Sequence, residues 1–313
     1  MNWRNLAKKL TGGDMKLSEA IAAYTTASYS LSPKTRTLYT QILATFPQTL
    51  LDSAIDEVTV AELREWVNEV RRRKNNRGQP ISVETVRCYI RAAKAFFNWL
   101  VAEQLLEISP AQRLKLPPKP KRPPKNISDA DLERLLDAAF RNSPRDYALI
   151  LFIADTACRV GGAAGLRLAD LDLENQKAIV SEKGRGGQNK ARLVRFGERT
   201  TQALRAWLVV RPRHTSEHVF VGRNGRPLSS NGITQIFKRL GKKGGCEGQH
   251  NPHSLRHAWP RRALQNGLDL GAVSQIMGHS SINVTHEFYS FWDEGDLAHR
   301  HKLGQVRHEN HQE

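Results

Sequence analysis

Apolar residues recur at helical spacing through the first hundred positions. In residues 15–30, Leu17, Ile21, Ala22 and Tyr24 fall on one face, and Ser32-Pro33-Lys34 then reads as a helix start with proline in the first turn. The second helix is expected to reach about residue 46. Thr59 opens a third, with Glu62 placed to complete a capping box and Leu63, Trp66, Val67 and Val70 as the buried stripe, ending in Arg71-Arg72-Arg73-Lys74. Ser82 precedes a fourth helix whose stripe is Val86, Ile90, Ala93, Phe97 and Leu100, with Arg87, Arg91 and Lys94 between those positions. Residues 15–108 therefore predict a small helical bundle behind an N-terminal arm, residues 1–14.

The pattern then breaks. From Pro110 to Pro124 the chain carries five further prolines, which cannot continue a helix or sit inside a sheet, so residues 109–126 are expected to form a basic linker. Ser128-Asp129-Ala130-Asp131 opens a second, mainly helical domain over residues 127–290. Within it, Lys177–Val180 and Ala191–Phe196 alternate as strands around the Gly-rich Lys183-Gly184-Arg185-Gly186-Gly187, predicting a small β-hairpin or meander. Asn251-Pro252 marks another helix start and puts His253 and Arg256 one turn apart. Residues 291–313 remain as a tail. The fold class is mainly α, in two domains, as a chain of 313 residues allows.

Charge narrows the function. Lys and Arg number 48 against 31 Asp and Glu, a net +17 that predicts attraction to a polyanion. Residues 1–125 hold 21 basic and 11 acidic side chains, so +10 of the surplus lies there, as befits a domain that grips phosphates. No run approaches the roughly 18 apolar residues of a spanning helix and the N-terminus lacks a signal-peptide core, so a soluble, cytoplasmic, DNA-associated protein is expected. Cys88, Cys158 and Cys246 are far apart with no CxxC pair, and read as packing residues in a reducing compartment.

Three separated elements carry candidate chemistry: Arg159, the segment His253-Ser254-Leu255-Arg256-His257, and Met277-Gly278-His279-Ser280 with Tyr289 beyond. With Lys183, their order and distances resemble the tyrosine recombinase (phage integrase) family, in its Xer-like two-domain organisation. The resemblance covers nearly the whole chain. It implies a SAM-like N-terminal core-binding domain and a catalytic domain closing as a clamp on double-stranded DNA, with the C-terminal tail docking on a neighbouring subunit in a tetramer. Breaking a phosphodiester without a metal needs fixed positive charge on the two non-bridging oxygens, and two guanidiniums supply it as planar forks of donors.

By resemblance, Arg159 and Arg256 clamp the scissile phosphate and His279 adds a hydrogen bond. Tyr289 attacks phosphorus to give a 3′-phosphotyrosyl enzyme, Lys183 protonates the departing 5′-oxygen, and His253 assists proton transfer at the tyrosine. No cofactor and no metal is implied. Site-specific recombination at specific DNA sites, integrating or excising a mobile element, is the activity implied. Lys34, Arg36, Arg87, Arg91, Lys94, Lys119, Lys121 and Arg122 are the candidate DNA contacts. His253 and His257 also stand at metal-ligand spacing, but the segment has no glutamate where the metalloprotease motif needs one, and the intervening arginine opposes a cation.

The chain departs from the family's pattern at three places. Where the family usually has its nucleophile stands Phe288, with Tyr289 one residue further; Tyr289 is the only tyrosine after Tyr147. Either Tyr289 is the nucleophile, or the nucleophile position holds phenylalanine and the chain binds DNA without cutting it. Gly162 stands where the family commonly carries an acidic residue, three positions after the first arginine, and Pro260 interrupts a helix that usually runs on. A type IB topoisomerase shares the chemistry, but the short length and the integrase-like spacing argue against it.

Overall fold

The computed structural model describes residues 15–50, 52–119, 126–183, 189–212 and 216–278. The chain divides into two compact units, Met1–Lys121 and Arg122–Glu313. Among the described residues no helix is long and apolar enough to cross a membrane.

The first unit contains α1 (Leu17–Ala27), α2 (Pro33–Leu43), α3 (Phe46–Thr49), α4 (Val60–Arg72) and α5 (Val83–Ala102). Each of the longer starts has a chemical cause. The side chains of Ser32, Thr59 and Ser82 accept from backbone N–H groups of the first turn, and Glu62 closes the capping box at Thr59. Helix α2 stops at Leu43, short of the expected residue 46, and a separate turn follows that buries Phe46. On α1 the buried small residue is Ala20, whereas Ala22 is exposed. Tyr24, Phe46, Trp66, Phe96 and Phe97 form one aromatic core, with Phe46 and Trp66 edge to face at 4.5 Å between centroids.

The segment expected to begin the linker belongs partly to this core. Pro110–Arg113 forms a 3-10 turn, and Ala111 and Leu114 are buried in the bundle at 0 and 4% exposure. Lys94 Nζ donates to Gln112 O at 3.1 Å, and Arg87 Nη1 donates to Pro117 O, so α5 fastens residues 110–117 along its own surface.

In the second unit α6 (Asp129–Phe140) and α7 (Pro144–Thr156) are followed by the short α8 (Val160–Ala164), strands β1 (Leu171–Asp172), β2 (Lys177–Lys183) and β3 (Asn189–Arg195), then α9 (Glu198–Val210), α10 (Ser230–Lys243), α11 (Pro252–Gln265) and α12 (Leu270–Met277). Helix α7 is the hub. Residues 148–154 are all buried, so it is apolar around its whole circumference, as a helix covered on every side must be. The sheet is antiparallel in the order β1-β2-β3, with Ala178 opposite Val194 and Lys183 opposite Asn189. β2 runs three residues beyond the predicted Val180, and β1 adds a strand the pattern did not predict. Pro260 does not interrupt α11: the helix continues to Gln265 with the proline buried inside it. The proline has no N–H for the Arg256 carbonyl, four residues back, so one rung of the ladder is missing there.

Leu114→Ala should destabilise the protein by about 2–4 kcal/mol, the cost of emptying a buried leucine site, whereas Leu116→Ala, at 39% exposure, should cost little. Urea denaturation of the two variants checks that residues 109–116 are part of the bundle core.

Candidate active site

Arg159 is placed by an abrupt helix end. Helix α7 stops at Thr156, and Ala157 takes a left-handed conformation at φ 48°. For a residue with a Cβ this costs roughly 1–2 kcal/mol. Cys158, fully buried, follows, and Arg159 takes an extended backbone as it caps the start of α8. Burial pushes the Cys158 thiol up to about 11, so it stays protonated and acts as packing.

Arg159 then meets Glu182. Its backbone N–H donates to Glu182 Oε1 at 2.6 Å and its Nη1 to Oε2 at 2.7 Å, leaving the side chain 44% exposed. Glu182 stands on β2 after Ala178 and Val180, all three on the core face by strand alternation, and is only 4% exposed. Arg192, across the hairpin on β3, donates to Glu182 Oε1 at 3.0 Å. Arg256 Nη1 lies 3.9 Å from the same oxygen. One carboxylate thus serves three guanidiniums from three elements.

The electrostatics follow from that count. Burial alone raises the Glu182 carboxyl, but Arg192, the Arg159 N–H and Arg256 outweigh it and hold its pKa below the ordinary value. Arg256 is 4% exposed, and burial foremost lowers its pKa to about 10, so it stays charged at neutral pH. It donates to Ala157 O and, at 2.7 Å, to Met277 O, joining α11 to the end of α7 and to the end of α12. Arg192 Nη1 also reaches the last turn of α12, at Ile276 O, 2.5 Å away. Gly278 closes α12 at φ 64°, where a side chain would be strained and would also strike Arg192 Cδ.

His253 lies one turn before Arg256, exposed on α11, where the side chain of Asn251 accepts from the His253 and Ser254 N–H groups. Partial burial, then the like charges of Arg256 and Arg159, lower its imidazole pKa, so the neutral ring is favoured at pH 7. Its ring meets that of His257 edge to face, 4.0 Å between centroids.

The structure therefore brings together Arg159, His253 and Arg256. Lys183 is the residue after Glu182 and ends β2 opposite Asn189; its side chain lies outside the described residues. His279, Phe288 and Tyr289 lie outside them as well. Glu182 and Arg192 were missed in the sequence. Extending the hairpin alternation two residues past Val180 would have shown an acid at a core position, and the register would have paired Arg192 with Val180.

Residues 125–293 match the phage integrase family, and residues 23–104 match the phage integrase N-terminal SAM-like domain. The chain belongs to the phage integrase family of tyrosine recombinases. It is similar to tyrosine recombinase XerC of Alcanivorax borkumensis, 30% identical over 276 residues that cover 86% of each chain. To the XerC of Actinobacillus pleuropneumoniae it is 30% identical over 224 residues, 70% of this chain and 72% of the relative. The crystal structure of XerA recombinase is 26% identical with a TM-score of 0.54, covering 93% of this chain and 99% of that one. The Tn1549 transposon integrase in complex with a circular intermediate DNA has the same fold, with a TM-score of 0.72 at 21% identity, over 93% of this chain and all of that one. A tyrosine-type recombinase is thus the enzyme class of this chain.

In the first unit, two grooves of about 710 and 400 Å³ run beside the fastened 110–117 segment. Arg64, Lys94, Arg113 and Lys115 line the larger, and Arg64, Arg71, Arg113 and Lys115 the smaller. Of the expected DNA contacts, Lys34 and Lys119 are exposed and Arg36 is half-buried. Arg91 pairs with Glu84 at 3.0 Å. Arg87 is 16% exposed and already engaged by Pro117 O and Glu84, so its guanidinium is committed within the unit. Lys121 and Arg122 lie outside the described residues.

Because the Glu182 carboxyl is depressed on folding, its contribution to stability is present above the ordinary carboxylate range and is lost as pH falls through its lower folded value. Glu182→Gln should therefore unfold more easily than the native chain at about pH 6, with the gap narrowing towards about pH 3. Denaturant titrations across that range measure it.

Proposed function

We propose that this chain is a site-specific recombinase that cleaves and rejoins duplex DNA through a 3′-phosphotyrosyl intermediate, with Tyr289 as nucleophile. The observation that carries this reading is the convergence of Arg159 and Arg256 on one buried carboxylate. Among the described residues three guanidiniums share the single negative charge of Glu182, and the surplus cation suits one more anion, a phosphate. Arg159 is the exposed member and would meet it first.

In the reaction, the Tyr289 oxygen bonds to phosphorus while the bond from phosphorus to the 5′-oxygen breaks. The phenolic proton passes towards His253, whose neutral form can accept it, and Lys183 gives a proton to the leaving 5′-oxygen. His279 donates to a non-bridging oxygen. Bond energy is retained in the phosphotyrosyl ester, so a 5′-hydroxyl from a second duplex reverses the step without cofactor or metal. Strand exchange between two sites then calls for a tetramer on DNA, in the cytoplasm, and movement of a mobile element is the context that fits. The two units would close around the duplex as a clamp, with the grooves of the first seating phosphates; Arg113, Lys115 and Arg64 join the contact set and Arg87 leaves it. A second reading, a DNA binder without cleavage, rests on Phe288 standing at the usual nucleophile position.

Two measurements test this. The first uses nicked duplexes bearing a site selected by the protein from a randomised pool, resolved on a denaturing gel. The native chain should form a covalent adduct that Tyr289→Phe abolishes; an adduct only in Phe288→Tyr would establish the second reading. The second follows affinity against salt. Arg113→Ala and Lys115→Ala should each lower the slope by about 1, the loss of one phosphate contact, whereas Arg87→Ala should leave it unchanged.

A further inference from the structure

The family's acidic residue three positions after the first arginine is absent here, since Gly162 holds that place. The space is nevertheless filled. A Cβ built on Gly162 would lie 3.1 Å from Glu182 Cγ, 3.3 Å from Val180 Cβ and 3.4 Å from Glu182 Oε1. Gly162 is itself buried in α8, so a side chain added there would press on the space that Glu182 and Val180 fill. A carboxylate carried by residue 162 and the carboxylate of Glu182 therefore compete for one volume. Were both present, they would also repel each other in a site with little water.

We propose that Glu182 is a positioning residue for the cleavage reaction: it supplies from strand β2 the carboxylate that α8 lacks, and sets the Arg159 and Arg256 guanidiniums. This rests on the phosphate-clamp reading above. Three observations carry it. Glu182 is held at both oxygens, by the Arg159 N–H and Nη1, so it fixes the main chain and the side chain of that arginine together. The same carboxylate lies against Arg256 and binds Arg192, which in turn holds the last turn of α12 just before His279. It is the neighbour of Lys183, so the ion cluster also anchors the backbone from which the lysine departs. Standing on β2, the carboxylate couples the strand that carries Lys183 to the arginine pair.

The test is an exchange of the acid between the two positions. Glu182→Gln keeps shape and removes charge, and Gly162→Glu with Glu182→Gly returns a carboxylate to the same volume, since a glutamate is long enough to place an oxygen 3.4 Å from that Cβ. Single-turnover cleavage of the nicked duplex should fall about 10- to 100-fold in Glu182→Gln, by analogy with the loss of residues that orient metal ligands from behind. Affinity for the uncut duplex should change little. The exchanged double variant should recover to within several-fold of the native rate, and Gly162→Glu alone should be impaired in both rate and melting temperature.

Side-chain NMR of the Arg159, Arg192 and Arg256 Nε–H groups gives a readout independent of cleavage. The three signals should shift in Glu182→Gln and return in the double variant. Native rate and unmoved signals in Glu182→Gln would overturn the proposal, as would a folded double variant no better than the single one, or full tolerance of Gly162→Glu. If the native chain forms no adduct, the cleavage reading fails, while the guanidinium signals still decide whether Glu182 sets the arginines.

Discussion

The catalytic unit depends on a buried carboxylate that could not be there without its arginines. An isolated charge at the position of Glu182 would be prohibitively costly in a protein interior, and the buried guanidiniums of Arg192 and Arg256 would be costly alone. Together they persist because the carboxylate oxygens accept from Arg159 and Arg192 and because Arg256 spends its remaining donors on main-chain carbonyls. Loss of the carboxylate would leave three cations facing one another. The cluster therefore holds the end of α7, the β2–β3 hairpin, α11 and the last turn of α12 in one arrangement, and in the sequence those elements carry or adjoin Arg159, Lys183, His253, Arg256 and His279.

The same cluster accounts for a guanidinium that is nearly inaccessible. At 4% exposure Arg256 is held by Ala157 O and Met277 O, which fixes the direction of its planar fork. Arg159 is more open, because its partner takes one guanidinium nitrogen and leaves the rest of the side chain towards solvent. Both are held against the same Glu182 carboxylate, one buried and one accessible. His253, one turn from Arg256, has its imidazole pKa lowered by partial burial and then by the positive charge of Arg256 and Arg159.

In the first unit, positive charge is divided between holding the fold and facing outward. Arg87 and Lys94 donate to carbonyls of the segment that follows the bundle, and by doing so they lay Arg113 and Lys115 along the grooves beside α4 and α5. Basic residues at similar places on one helix thus have different uses. Spacing along a helix tells which side chains lie outside the core stripe; it does not tell which of them a neighbouring carbonyl will claim.

The sequence by itself determined the two-unit organisation, the long helices of the bundle with their caps at Ser32, Thr59 and Ser82, the hairpin, and the family. These are local signals: a cap bonds its own first turn, a strand alternates with period two, and an ordered set of Arg, Lys, His and Arg survives any loop between its members. What only the tertiary structure decided is how those members are held. Glu182 and Arg192 meet Arg159 and Arg256 from elements far apart in the chain, and a buried ion cluster depends on three-dimensional neighbours that no periodicity encodes. The same reason hid the burial of Leu114 within a proline-rich stretch and the continuation of α11 through Pro260, where packing on both sides outweighed the local preference of the chain to stop.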